Sequence, residues 1–234
     1  MHRIAGSDPR RRSKTHMNMP QLHYFPGNAS MAPHIVLEEI GTPFELMLVD
    51  RENHAHKSPA YLRLNPNGLI PVYVDGPLVL YESAAICLHL CDSAPAAALL
   101  PPLGTAARAH AYKWLVWLTN TLQPTLLSYF YPERWMNPGN VDGAAELKAH
   151  AQERVSELLD QLDAELARHG RPWLLGDDYS AVDAYSLMLC RWTRNFSSAP
   201  ARERTHLGAH MARVLVRPAV QRVFVTERLD PGDI

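Results

Sequence analysis

The tightest constraint in the chain is the segment LIPVYVDGPLVLY, residues 69–81. Two strand-like apolar runs, 69–74 and 78–81, flank Asp75-Gly76-Pro77, and so short a connection with turn residues makes a β-hairpin. Its two strands must lie antiparallel. Upstream, LHYFPGNASMAPHIVLEEIG (22–41) starts as a strand over 22–25 and passes a Pro-Gly turn. It continues as a helix over 31–40, with Gly41 as its left-handed stop. Residues 44–49 alternate as another strand. Two strands joined through a helix lie parallel. The polar loop 50–67 carries a short helix, and another helix follows from Ser83 to Cys91. The order β-α-β-(α)-β-β-α thus predicts a mixed four-stranded sheet covered by helices.

The pattern then changes. SAPAAALLPPLGT (93–105) is small and proline-rich and reads as a linker. Beyond it the periodicity is helical. A long aromatic helix is predicted from Ala106 to Tyr131 with a kink at Pro124. A second runs from Ala144 to Arg168, with Val155, Leu158, Leu159, Leu162 and Leu166 on one face and Gly170 at its end. The apolar helix of 179–192 opens on Ser180, with Asp183 placed for a reciprocal capping box and Tyr179 as a staple. A last helix pair spans 206–229, with Pro218 tolerated in a first turn. The expected division is a loose basic leader over 1–18, an α/β domain over 19–94, a linker over 95–105 and an all-helical domain over 106–234.

Charge excludes some functions. With 23 basic and 24 acidic side chains the chain lacks the basic excess of a nucleic-acid binder. No apolar run reaches the roughly 20 residues of a membrane span. The three cysteines, Cys87, Cys91 and Cys190, suit a reducing compartment such as the cytoplasm and offer no CxxC pair. The two histidines of NHAHK (53–57) lack a companion ligand set, so no metal is expected.

Three features are candidates for ligand binding. Ser30 stands where the first helix begins, either as its cap or as a hydroxyl beside an anion drawn to the helix start. Pro71 opens a strand; a cis bond before it would leave the Ile70 backbone free to pair with an extended peptide. Glu82 and Ser83, at the start of the helix after the hairpin, suit the ammonium and carboxylate of an α-amino acid, or are an exposed acid and an ordinary cap.

The order of these features resembles a cytosolic glutathione transferase. The matching pieces are YFPGNASMAPHIVLEEIG, NPNGLIPV, YESAAICLHL, DDYSAVDAYSLMLCRW and RPAVQRVF, and the resemblance covers about Gln21 to Arg228. It implies a thioredoxin-like domain followed by a helical domain, glutathione as co-substrate, no metal, and a homodimer. It implies that the Ile70–Pro71 bond is cis and that Ile70 pairs with the cysteinyl unit. Glu82 and Ser83 would hold the γ-glutamyl end, Lys57 would face the glycine carboxylate, and Tyr24 would be a secondary contact. Asp183 and Ser180 fall on a structural capping motif. The chain is most similar to the bacterial beta class, which has PGACS where this chain has PGNAS; Ala29 stands in the place of that cysteine. Ser30 is then the side chain expected to touch the sulfur and act catalytically. Val116, Gln123 and Pro124 align with three polar positions of that class on the long helix. The second, electrophilic substrate is expected between the domains, against Phe25, Met31, Tyr129, Tyr131, Trp135 and Trp192. Conjugation to small apolar electrophiles is the implied activity. A glutathione-dependent reductase or isomerase, and a non-catalytic glutathione-binding protein, share the same scaffold.

Overall fold

The computed structural model describes residues 19–232 and 234, so the leader expected over 1–18 lies outside the described residues. The sheet contains β1 (Gln21–Tyr24), β2 (Glu45–Leu48), β3 (Val72–Asp75) and β4 (Leu78–Tyr81) in the order β2-β1-β3-β4. β1 and β2 are parallel, with Leu22 opposite Leu46. The hairpin pairs β3 antiparallel to β4, with Tyr73 opposite Leu80, and β3 also runs antiparallel to β1. Gly76, at φ +55°, supplies the left-handed residue of that turn. Helices α1 (Met31–Ile40), α2 (Pro59–Leu62) and α3 (Ser83–Ser93) complete this half. α1 ends where expected, on Gly41 at φ +75°.

The helical half holds α4 (Ala106–Trp117), α5 (Gln123–Phe130), α6 (Val141–His169), α7 (Ala181–Arg191), α8 (Thr205–Leu215) and α9 (Pro218–Thr226). Its long aromatic helix breaks its regular pattern before the expected place. Residues Leu118–Leu122 form a π-helical turn ahead of Pro124. Proline has no N–H to give the carbonyl four residues back, and a wider turn accommodates that loss without a sharp bend. The α7 box forms as the sequence predicts. Ser180 N–H donates to Asp183 at 2.8 Å, and Ser180 Oγ accepts from Val182 N–H at 3.2 Å. Asp183 also accepts from Leu174 N–H at 2.9 Å and pairs with His210 at 2.8 Å.

α1 positions the site. It packs against α3 on its own side and against α7 and α9 of the helical half. Seven consecutive residues, Met31 to Leu37, are buried as a result. A single apolar cluster therefore runs from Leu22 and Ile35 through Leu115, Leu159 and Met188 to Phe224. Burying that surface at roughly 25 cal/mol per Å² couples the two halves. None of the helices among the described residues is long and apolar enough to cross a membrane.

Candidate functional site

Two adjoining clefts open where the sheet half meets α5 and α7. The inner one encloses about 230 Å³ and the outer about 710 Å³. They share Ala29, Leu69, Ile70, Gln123 and Leu127, so they form one continuous groove.

The inner cleft gathers Ala29, Ile70, Pro71, Glu82 and Ser83 from three separate segments. The Ile70–Pro71 bond is cis. The Leu69 carbonyl just before it accepts from Tyr61 Oη at 2.9 Å and from Asn65 Nδ2 at 2.8 Å, which fixes the loop. Ile70 lies outside the ladder, and its backbone makes no hydrogen bond among the described residues. An extended ligand can pair there as an added strand would. Glu82 is exposed and adopts φ +72°, a left-handed conformation that side chains other than glycine seldom take. Ser83 is corrected from a helix cap. It is the first residue of α3, and its hydroxyl donates to the Ala29 carbonyl at 2.9 Å, tying α3 to the loop before α1.

Ser30 also departs from expectation. Its side chain does not cap α1; the residue has helical φ −69° and ψ −18°. Its Oγ donates to the Phe25 carbonyl at 3.1 Å and accepts from Phe25 N–H at 3.3 Å. Ser30 is fully buried and lines neither cleft. The physical reason is the burial of α1 on both sides, which turns its first residues into the core. Asn28 and Ala29 are the members of PGNAS that reach the groove with Gly27.

That loop is gripped by the helical half. Gly27 N–H donates to Glu227 Oε2 at 2.8 Å, while the Gly27 carbonyl accepts from Trp192 Nε1 at 3.1 Å. Gly27 has φ +65°, and a Cβ there would sit 3.2 Å from Arg191 Nη1. Glu227 is buried and also pairs with His34 Nδ1 at 2.7 Å.

Of the aromatic walls expected for a second substrate, Tyr131 and Trp192 line the outer cleft. Four other expected residues do not. Met31 is fully buried in the core and Phe25 packs beside Val49, Tyr61 and Val72. Tyr129 turns onto Phe196, with ring centroids 4.4 Å apart, and Trp135 is 63% exposed away from the groove. Tyr24 meets the His34 ring edge-on at 6.1 Å, and burial raises its phenol pKa; it lines neither cleft. Lys57 does line the outer cleft, and its Nζ donates to the Asn67 carbonyl at 3.2 Å. It lies so close to Gly68 that a Cβ there would meet Nζ at 2.8 Å.

Sequence reasoning missed several lining groups. Thr119 and Asn120 face the inner cleft from the long helix, beside Gln123 and Pro124, two of the three aligned positions; the third, Val116, is 56% exposed and outside it. Thr119, Asn120 and Gln123 make this wall polar. Gln123 Oε1 is held by Tyr185 Oη at 2.7 Å. Asn65 sits in the NPNG motif and was findable there. Arg51, Phe130, Arg134 and Arg194 line the outer cleft from distant segments and carried no local signal.

The cysteines stand apart. Cys87, Cys91 and Cys190 are free and buried, and none lines either cleft. Burial pushes the thiols of Cys91 and Cys190 up to about 12 and that of Cys87 well above its ordinary value.

Comparison with known proteins gives one picture. Residues 18–92 match the family described as glutathione S-transferase, N-terminal domain, and residues 117–218 match glutathione S-transferase, C-terminal domain. The chain is 32% identical over 212 residues to glutathione S-transferase GST-4.5 of Xanthomonas campestris pv. campestris, covering 90% of this chain and all of that protein. It is 33% identical over 205 residues to glutathione S-transferase 3 of Zea mays, with 84% and 88% of the two chains covered. Among solved structures, a sphingomonad glutathione S-transferase complexed with glutathione superposes with a TM-score of 0.77 at 32% identity, over 90% of this chain and all of the other.

Proposed function

The chain belongs to the glutathione S-transferase family, and we propose that it binds glutathione in the inner cleft and transfers its thiolate to small electrophilic apolar substrates. The observation that carries this reading is the convergence of the unpaired Ile70 backbone, Glu82 and Ser83 beside the start of α1. The Ile70 backbone takes the cysteinyl unit as a strand would. Glu82 takes the ammonium, and the N–H groups at the start of α3 take the adjoining carboxylate. Lys57 faces the glycine carboxylate across the outer cleft.

The sulfur then lies near the start of α1. A free thiol has a pKa of about 8.5, and an electropositive helix start lowers it. The thiolate attacks the electrophilic carbon held beside it, and positioning supplies much of the acceleration. Ser30 acts on this step through the loop it closes, since its hydroxyl is committed to Phe25. The buried cysteines give no support to mixed-disulfide chemistry with the protein's own thiols. Exposed Val79 on β4 and Tyr112 and Val116 on α4 support a homodimer, and the free thiols support a reducing, cytoplasmic setting.

Calorimetric titration with glutathione, followed by conjugation of 1-chloro-2,4-dinitrobenzene, tests the reading. Glutathione binding with turnover upholds it. Binding without turnover leaves a non-catalytic binder, and no binding removes the proposal.

A further inference from the structure

The second substrate is legible in the charge of the outer cleft, an inference that rests on the transferase reading. The chain as a whole is nearly balanced, with 24 acids against 23 bases. The outer cleft is not. Arg51, Lys57 and Arg134 line it, and no Asp or Glu does among the described residues. Lys57 lies on the side of Asn67 and Gly68, where the glycine end of glutathione is expected. Arg51 and Arg134 meet instead at Tyr131. Arg51 donates to the Tyr131 phenol oxygen, and the Arg134 guanidinium carbon sits 3.8 Å from the ring centroid. Neither is paired with a carboxylate among the described residues.

A guanidinium presents five N–H donors in a planar fork that matches a carboxylate, and a single neutral phenol oxygen uses few of them. His56, at the same mouth, has its imidazole pKa lowered first by burial and then by Lys57, Arg51, His54 and Arg134, as expected where positive charge converges. Beside the cations lies apolar surface from Leu127, Phe130 and Trp192, the last two meeting edge-on with centroids 6.3 Å apart.

We propose that the outer cleft selects an electrophile with a flat apolar body and an anionic oxygen group, its carboxylate or sulfonate held by Arg51 and Arg134. The body rests on Phe130 and Trp192 with its reactive carbon toward Ile70. For a chloroarene, the glutathione sulfur bonds to the carbon bearing chlorine. The carbon–chlorine bond breaks, chloride leaves with the electron pair, and the thiol proton goes to solvent.

The test compares 4-chloro-3,5-dinitrobenzoate with neutral 1-chloro-2,4-dinitrobenzene, each kcat/KM divided by the uncatalysed rate with glutathione. The wild type is expected to favour the anion by about tenfold or more, the scale of a charge-assisted hydrogen bond. Arg51→Gln and Arg134→Gln should each lower that preference about tenfold, Arg134→Lys should lower it less, and added salt should erode it. Arg134 is exposed, so its variants report even if Arg51→Gln fails to fold. Calorimetry with 3,5-dinitrobenzoate, which has no leaving group, reads the anion site without turnover. A chain that binds this anion but conjugates nothing refutes the transferase reading and upholds the anion site. A wild type with neither preference nor anion binding overturns the inference. So does a preference that the arginine variants leave unchanged, or a glutathione affinity that falls in step with it.

Discussion

Gly27 N–H donates to Glu227 Oε2 at 2.8 Å, joining the loop before α1 to the residue that follows α9, 200 positions away. The same buried carboxylate pairs with His34 on α1, so one side chain holds both the loop and the helix it leads into. Replacing Glu227 by Ala strips Gly27 and the buried His34 of their partner, at about 1–3 kcal/mol for each orphaned group. Glu227→Gln, which keeps an acceptor for Gly27, should lose less. Thermal unfolding reads the stability, and glutathione titration reads whether the loop has moved with it.

Ser30→Ala removes the reciprocal bonds to Phe25, so stability should fall by about 1–2 kcal/mol. Conjugation of 1-chloro-2,4-dinitrobenzene should drop only about two- to fivefold, against the roughly hundredfold loss typical of a donor that contacts the reacting charge. Parallel measurement of kcat and of the unfolding midpoint separates these outcomes. A hundredfold loss of kcat at unchanged stability would restore Ser30 to direct contact with the sulfur.

The three thiols are buried, with Cys91 and Cys190 pushed up to about 12. At pH 8 the native protein should therefore resist iodoacetamide for hours, while all three cysteines label within minutes in denaturant. Mass spectrometry of the native sample counts the adducts. Fast labelling of any cysteine before unfolding would contradict the packing around it.

His23, on β1 with its ring 6.0 Å from Tyr61, has its pKa lowered by burial. The folded state thus favours the neutral imidazole, and the unfolded chain binds the extra proton as pH falls below about 6.5. Stability present above that range is lost on acidification toward the folded pKa, by at most about 1.4 kcal/mol per pH unit from this group. Unfolding midpoints of the wild type and His23→Asn between pH 7.5 and 5.5 check the sign. The variant's curve should be the flatter of the two.

How much the sequence revealed depended on whether the signal was local. Asp75-Gly76-Pro77, Gly41 and the Ser180–Asp183 pair each act within a few residues, and each forms the element its chemistry dictates. Ile70, Pro71, Glu82 and Ser83 were legible through their order along the chain, and the fold gathers them in one cleft. The direction of a side chain was not legible. Ser30 and Met31 face inward because α7 and α9 cover α1, an event decided more than 140 residues downstream. Arg51 and Arg134 carried no mark at all, since each stands beside acidic residues in sequence, belongs to no motif, and only the folded chain sets both against Tyr131.

The π turn at Leu118–Leu122 has a consequence for how the site can change. Thr119, Asn120 and Gln123 reach the inner cleft by their count along the helix as well as by their identity. A π turn holds one residue more than the α-helical turn it stands in for, so deleting one residue here would close it to a regular helix and leave α5 facing as it does. The change would fall on Thr119 and Asn120 inside the turn, while Gln123 after it kept its place on Tyr185. The turn is therefore a point where this wall can gain or lose a side chain without moving the helices on either side.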